Sequence, residues 1–163
     1  MDHSGDKPGS IDQDEAIRFA KKYLEDVLSF FGLNTSVEAS FDDEVIELKV
    51  PSTYLNGFLI GAHGETLRSL QFLVSSSLRT RGAPTSRVNI DVADYKAQRA
   101  ERLLKKITVM LEEVKTGGEP KHLEPMNAAD RRIVHQAVAG YPELTSQSEG
   151  EGRDRHIVIS KAG

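Results

Sequence analysis

The tetrapeptide Gly61-Ala62-His63-Gly64 puts two glycines at the junction of two apolar segments, and few folds accommodate such a junction. From Thr53, Tyr54, Leu55, Phe58, Leu59 and Ile60 form a short apolar segment, and after the glycines Leu67, Leu70, Val74 and Leu78 recur at helical spacing. The glycines therefore sit between two helices, where the missing Cβ permits unusual dihedral angles and close approach by another molecule. A nucleic-acid backbone is a suitable guest, because the amides opening the second helix point outward with partial positive charge. Spacing alone equally describes a helix-helix turn that needs glycine only for its dihedrals. With 13 glycines in 163 residues, roughly one Gly-x-x-Gly is expected by chance.

The surrounding pattern narrows the fold. Asp12-Gln13-Asp14-Glu15 has capping-box form, and Ala16, Ala20, Tyr23, Val27 and Phe31 give the following helix one apolar stripe, ended by Gly32. Val37, Ala39 and Phe41 alternate with polar residues, as do Ile46, Leu48 and Val50, with Asp42-Asp43 between them as the turn. Beyond the glycines and the loop Arg81-Gly82-Ala83-Pro84, the residues Val88, Ile90 and Val92 predict a third strand. The order is helix, strand, strand, helix, helix, strand. Ile60 and Leu67 would floor a shallow apolar groove bounded by Val88 and Ile90, a shape suited to single strands.

A second module follows. Asp94 is placed to cap a long helix with Ala100, Leu103, Leu104, Ile107, Leu111 and Val114 as its stripe, closing at Gly117-Gly118. Asn127 caps another carrying Ile133, Val134, Ala137, Val138 and Tyr141, and residues 144–148 and 156–160 read as strands around Glu149-Gly150-Glu151-Gly152. The chain is thus α+β and built of two small modules, residues 12–93 and 94–163, after a disordered lead over 1–11. On the Asn127 helix, Arg131 and His135 are four residues apart and share a face. An arginine fork suits phosphate, and a histidine can stack on a base or donate to phosphate. Ordinary surface polarity is the competing reading.

Charge and composition sharpen the functional classes. The net charge of −4 conceals an asymmetry: residues 1–50 hold 12 acids and five bases, and residues 51–163 hold 13 acids and 16 bases. Between Arg68 and Lys106, nine bases face three acids, which predicts a positive field around the glycine motif. The chain has no cysteine, which excludes thiol catalysis and zinc knuckles. The five histidines have no His-x-x-x-His spacing, so no bound metal is expected. No apolar run approaches 18 residues, which argues against membrane insertion. A nuclease with His135 as base would need carboxylates nearby, and Asp130 and Glu143 are the ones close in sequence.

Set into that order of elements, Ile60-Gly61-Ala62-His63-Gly64-Glu65-Thr66-Leu67 resembles a KH domain of the prokaryotic type, type II. The resemblance implies a loop that clamps the sugar-phosphate backbone and a groove for about four nucleotides, with RNA-contacting residues Ile60, Gly61, Ala62, His63, Gly64 and Leu67 and basic neighbours Arg68, Arg79 and Arg81. Ala62 and His63 stand where such loops usually carry lysine or arginine. Met126 to His135, followed by Ser146-Gln147-Ser148-Glu149-Gly150, resembles the domain named for its Arg-x-x-x-His motif, which implies single-strand contacts from Arg131, Arg132 and His135.

A KH module followed by that domain is similar to the bacterial Jag, or KhpB, family over about residues 12–160. Members often carry an additional N-terminal Jag domain, which is not expected within this chain. The resemblance implies a cytoplasmic single-stranded RNA-binding protein without catalytic residues or cofactor, with single-stranded DNA as the alternative ligand. It implies a post-transcriptional regulator or RNA chaperone linked to cell shape, cell wall biogenesis, elongation and division, and a small single-KH partner, KhpA. A protein-interaction scaffold with incidental RNA contact is the other reading.

Overall fold

The computed structural model describes residues 9–163, so most of the expected disordered lead (residues 1–8 of 1–11) lies outside the described residues. The chain is α+β, dividing into two compact units, the first ending at Lys96 and the second spanning Ala97–Gly163.

In the first unit, α1 (Gln13–Phe30) opens on the capping box: the Glu15 amide donates to Asp12 Oδ1 at 2.8 Å and the Asp12 amide to Glu15 Oε2 at 3.1 Å. It closes with a left-handed Gly32, where the Leu33 amide reaches back to the Leu28 carbonyl and that of Gly32 to Ser29. The buried stripe is Ala16, Ala20, Leu24 and Leu28, a strict four-residue row. Tyr23 and Val27 flank it half-buried, whereas Phe31, expected at its end, lies beyond the last helical turn and remains exposed.

Strands β1 (Glu38–Asp42) and β2 (Val45–Val50) form an antiparallel hairpin, and β3 (Val88–Val92) adds to β2 in parallel, giving the order β1-β2-β3. Asp43 and Glu44 both have positive φ, 46° and 63°, the geometry of a two-residue turn matched to strand twist. A parallel neighbour requires a crossover. Helix α2 (Asn56–Ile60), the single turn 62–64 and α3 (Glu65–Thr80) supply it. Ile46, Leu48, Ile90 and Val92 are fully buried with the inner faces of α1 and α3 in one apolar core.

In the second unit, α4 (Tyr95–Gly117, its first two residues in the first unit) buries Ile107, Leu111 and Val114, while Leu104 is exposed rather than part of the stripe. Asp94, the expected cap, has a left-handed backbone (φ 55°) instead of an extended one, and Asp91 takes the capping role by accepting from the Lys96 amide. A two-residue strand, β4 (Lys121–His122), precedes α5 (Ala128–Ala139), β5 (Leu144–Glu149) and β6 (His156–Lys161). The second sheet is antiparallel in the order β4-β6-β5, with Ile157 and Ile159 fully buried against α4 and α5.

Asp130 is buried, 6% exposed, in the first turn of α5. Its carboxylate is held by the Arg99 guanidinium and by Asn127 Nδ2 at 3.2 Å, while the Asn127 side chain caps α5 by accepting the Asp130 amide at 2.9 Å. Removing the carboxylate takes a charge-assisted contact from Arg99 and a hydrogen bond from Asn127 Nδ2 at a largely buried site. Asp130→Ala is therefore expected to lower stability by about 2–3 kcal/mol in urea unfolding, well above the ~1 kcal/mol of an ordinary cap.

Candidate nucleic-acid interface

The glycine loop is built from left-handed backbone. Gly61, His63 and Gly64 have φ of 71°, 51° and 76°. A Cβ on Gly61 would lie 2.3 Å from Thr66 Oγ1 and 2.9 Å from the Thr66 amide nitrogen, so that position admits glycine alone. At Gly64 the nearest atom to such a Cβ would be a Tyr95 ring carbon at 3.5 Å, which leaves the dihedral angle as the main constraint. The reversal exposes Ala62 and His63 and starts α3 immediately behind them. Arg68 reaches back from α3, and its Nη1 donates to the His63 carbonyl at 2.9 Å. Glu65 occupies the first turn of α3, where its negative charge also favours the positive end of the helix and opposes an incoming phosphate.

The expected floor is differently placed. Leu67 is 3% exposed and Ile90 fully buried, so both support the loop from within the core, and Ile60 is half-buried. The open groove runs instead along the outer side of α3, a concavity of about 630 Å³ between Arg68, Gln71, Phe72 and Arg79 on one wall and Arg87 and Asn89 on the other. Gln71 Oε1 accepts the Ile90 amide at 3.2 Å, and Ser75 Oγ donates to the Ser86 carbonyl at 2.7 Å, joining α3 to the β3 chain segment. Phe72 is 65% exposed there and offers a ring face to a base. Arg81 is elsewhere: its guanidinium stacks 4.3 Å above the Phe19 ring of α1.

The basic run is less available than its composition implies. Arg87 faces Glu44 at 3.7 Å, and Lys96 donates to Asn89 Oδ1. Burial pushes the Lys96 pKa down, against the pull of Asp91 and Glu47. Arg99, Arg102, Lys105 and Lys106 belong to the second unit, where Arg99 holds Asp130, and Lys105 and Lys106 face Glu101 and Glu124.

In the second unit, Arg131 and His135 occupy one face of α5. Arg131 Nη1 donates to the Met126 carbonyl at 2.7 Å, which orients the fork and leaves its other donors for a ligand. His135 is bracketed by β5: Nδ1 lies 2.7 Å from Ser146 Oγ and Nε2 3.2 Å from Ser148 Oγ. With both ring nitrogens engaged, the ring face is its remaining surface. A concavity of about 400 Å³ gathers Arg131, Arg132, His135, Gln136, Ser148 and Arg155. Asp130 is held by Arg99, and Glu143 pairs with Lys115 at 3.0 Å, its pKa lowered by its own backbone amide and by that lysine. Both carboxylates are thus committed to partners other than His135.

Residues 101–161, which include this second concavity, match the R3H domain. Over 149 residues, 91% of this chain and 65% of the relative, the sequence is 33% identical to RNA-binding protein KhpB of Clostridium symbiosum. It is 30% identical to RNA-binding protein KhpB of Lactiplantibacillus plantarum over 89% of this chain and 45% of that protein. With RNA-binding protein KhpB of Bacillus subtilis it shares 27% identity over 96% of this chain and 77% of that one. Along most of its length the sequence is similar to the KhpB/Jag family. It spans less than two thirds of the first two of these relatives.

Sequence reasoning missed Phe72, Arg155 and the two serines that bracket His135. Phe72 had a signal: it lies about 200° around the helix from Leu70, opposite the buried stripe, where a large aromatic is out of place unless it is used. The serines had a weaker one, the alternation of Ser146 and Ser148 on one face of a strand. Among the described residues no helix is long and apolar enough to cross a membrane.

The two loop glycines should separate in a stability measurement. Gly61→Ala is expected to cost about 2–4 kcal/mol, from strain plus the clash with Thr66, and Gly64→Ala about 1–2 kcal/mol, from its dihedral angle alone. Thermal unfolding of the two variants checks the order.

Proposed function

We propose that this chain is a single-stranded RNA-binding protein that grips one strand with two modules, a type II KH module over residues 12–93 and the R3H domain-bearing module over 94–163. The observation that carries the reading is the cluster of Arg131, Arg132 and Arg155 around the His135 ring in the stretch matching the R3H domain: three forks for phosphate beside a face for a base. The first module adds a glycine loop whose outward backbone and following helix suit phosphate, with Phe72 as a stacking platform. The first groove has little unpaired charge, so its contact is the weaker one, and joining the two on one chain raises the affinity through effective concentration. The relatives' name, RNA-binding protein KhpB, supports RNA over DNA. The site residues are Ile60, Gly61, Ala62, His63, Gly64, Arg68 and Arg79 around the first groove and Arg131, Arg132 and His135 around the second, with Leu67 supporting from the core. The chain acts in the cytoplasm as a regulator or RNA chaperone without catalytic chemistry, in the service of elongation and division, and pairs with the small single-KH protein KhpA.

One observation favours a second reading, a scaffold that pairs with another KH protein. Phe30 and Tyr54 are more than 80% exposed, and Phe31 and Phe58 pack edge to face at 5.1 Å, also exposed. Such an aromatic group is a protein-contact surface by composition.

Fluorescence anisotropy of a short labelled single-stranded RNA across a salt series tests the proposal. Contacts to about four phosphates in the first groove give a slope of log affinity against log salt near −3. Ala62→Asp/His63→Asp and Arg131→Ala/His135→Ala are each expected to weaken binding by at least about tenfold. Phe72→Ala is expected to cost about tenfold, the worth of one stacked base, with no loss of stability because the ring is mostly exposed. Absence of binding, or binding indifferent to all three changes, overturns the reading in favour of the scaffold.

A further inference from the structure

Sheet pairing in the second unit brings together three side chains that no sequence spacing connects. His156 opens β6 and stands opposite Glu149, the last residue of β5, while His122 of β4 stands opposite Val158. Directly paired residues share a face, as do residues two apart on one strand, so His122, Glu149 and His156 lie on one side of the sheet. Ile157 and Ile159 point to the other side, into the core, and Ser148, paired with Ile157, belongs with them. The cluster is therefore on the face opposite the His135 concavity. One ligand atom from each of the three residues lies within 4.8 Å of the other two.

The tautomers follow from the hydrogen bonds. His156 Nδ1 is 2.9 Å from the Asp154 carbonyl, which can only accept, so Nδ1 carries the proton and the lone pair is on Nε2. That Nε2 lies 3.4 Å from His122 Nδ1, which donates to it in the free protein and becomes a ligand once His122 shifts its proton to its own Nε2 and an ion takes the place between the rings. A tetrahedral ion with bonds of about 2.0–2.1 Å to nitrogen holds its ligand atoms about 3.3–3.4 Å apart. The two imidazoles are thus already spaced as two corners of such a site, and Glu149, on a rotatable side chain, supplies the third. The Asp154 carbonyl is the outer bond that fixes a liganding imidazole in its tautomer and orientation. His122 and Glu149 are exposed, which leaves solvent as the fourth ligand and an open route for the ion.

We propose that His122, Glu149 and His156 bind a divalent cation of the zinc class, fastening the short β4 to the hairpin of β5 and β6. Two imidazoles and one carboxylate select zinc or cobalt over magnesium, which prefers oxygen ligands. An ion there would be bound independently of RNA, because the residues face away from the Arg-His concavity.

The full chain, stripped with EDTA and exchanged into metal-free buffer, is titrated with Zn²⁺ by calorimetry and with Co²⁺ by visible absorption. Expected are one ion per chain, the intense visible bands of tetrahedral cobalt, and a rise in Tm of about 5 °C at saturating zinc, with magnesium producing none of these. His122→Ala and His156→Ala are each expected to weaken zinc binding by at least about tenfold while leaving the Tm in EDTA unchanged, and Glu149→Gln to weaken it less. If His156→Ala lowers the metal-free Tm, His122→Ala decides, because His122 is exposed on a two-residue strand and supports no core residue. No saturable zinc binding, or binding and cobalt bands unchanged in His122→Ala, overturns the proposal.

Discussion

The contact between Gly61 and Thr66 sets the direction of everything downstream in the first unit. A backbone with φ 71° and ψ −179° is open to glycine and closed to other residues, and here the Thr66 hydroxyl and amide fill the space where a Cβ would project. The chain consequently turns from α2 to α3 within residues 61–64. Because the turn is so tight, α3 begins at Glu65, Leu67 falls into the core, and Ala62 and His63 are forced outward. The same geometry carries the parallel crossover from β2 to β3, since α2, the turn and α3 are that connection. Fold and candidate site therefore depend on one conformational requirement.

Electrostatics plays a smaller part than a count of charges implies. Of the bases clustered after the glycine motif, Arg81 stacks on Phe19, Arg87 and Lys96 meet partners within the first unit, and four others belong to the second. What remains around the loop and its groove is the dipole of α3, partly met by Glu65, together with the backbone amides, Arg79, and Arg68, which itself braces the His63 carbonyl. In the proposed interface the exposed Phe72 ring in the groove would add stacking to these few phosphate contacts. Such an interface also tolerates the acidic first 50 residues, whose charges need not be overcome by a matching excess of arginine.

Legibility in the sequence followed the range of the forces involved. Local signals were read to within a residue or two: the Asp12 box, Gly32, the alternation of β2 and β3, and Asn127 as the cap of α5 all act over four residues or fewer. Errors arose where packing chose among equivalent local options. The stripe of α1 could pass through Tyr23 and Val27 or through Leu24 and Leu28, and only the strands opposite decide between them. Leu104 fits a helical period, yet it remains 41% exposed. Asp94 has the residue type and place of a cap, yet positive φ angles at Ala93 and Asp94 leave the Lys96 amide to Asp91 at the end of β3.

The candidate sites show the same division. Arg131 and His135 were visible together because a helix brings residues four apart to one face. The partners of His135 were not, because Ser146 and Ser148 reach it through tertiary packing of β5 on α5. The expectation of no metal rested on helical spacing, which is blind to strands: β6 lies between β4 and β5, and so carries His156 beside a histidine 34 positions earlier and a glutamate seven positions earlier. Antiparallel register is the cause. A one-residue slip of β6 against β5 would send His156 into the core and Ile157 to the surface, and burial of Ile157 and Ile159 forbids that slip. The apolar core on one face therefore fixes the polar constellation on the other, although no residue of that constellation contributes to the core itself.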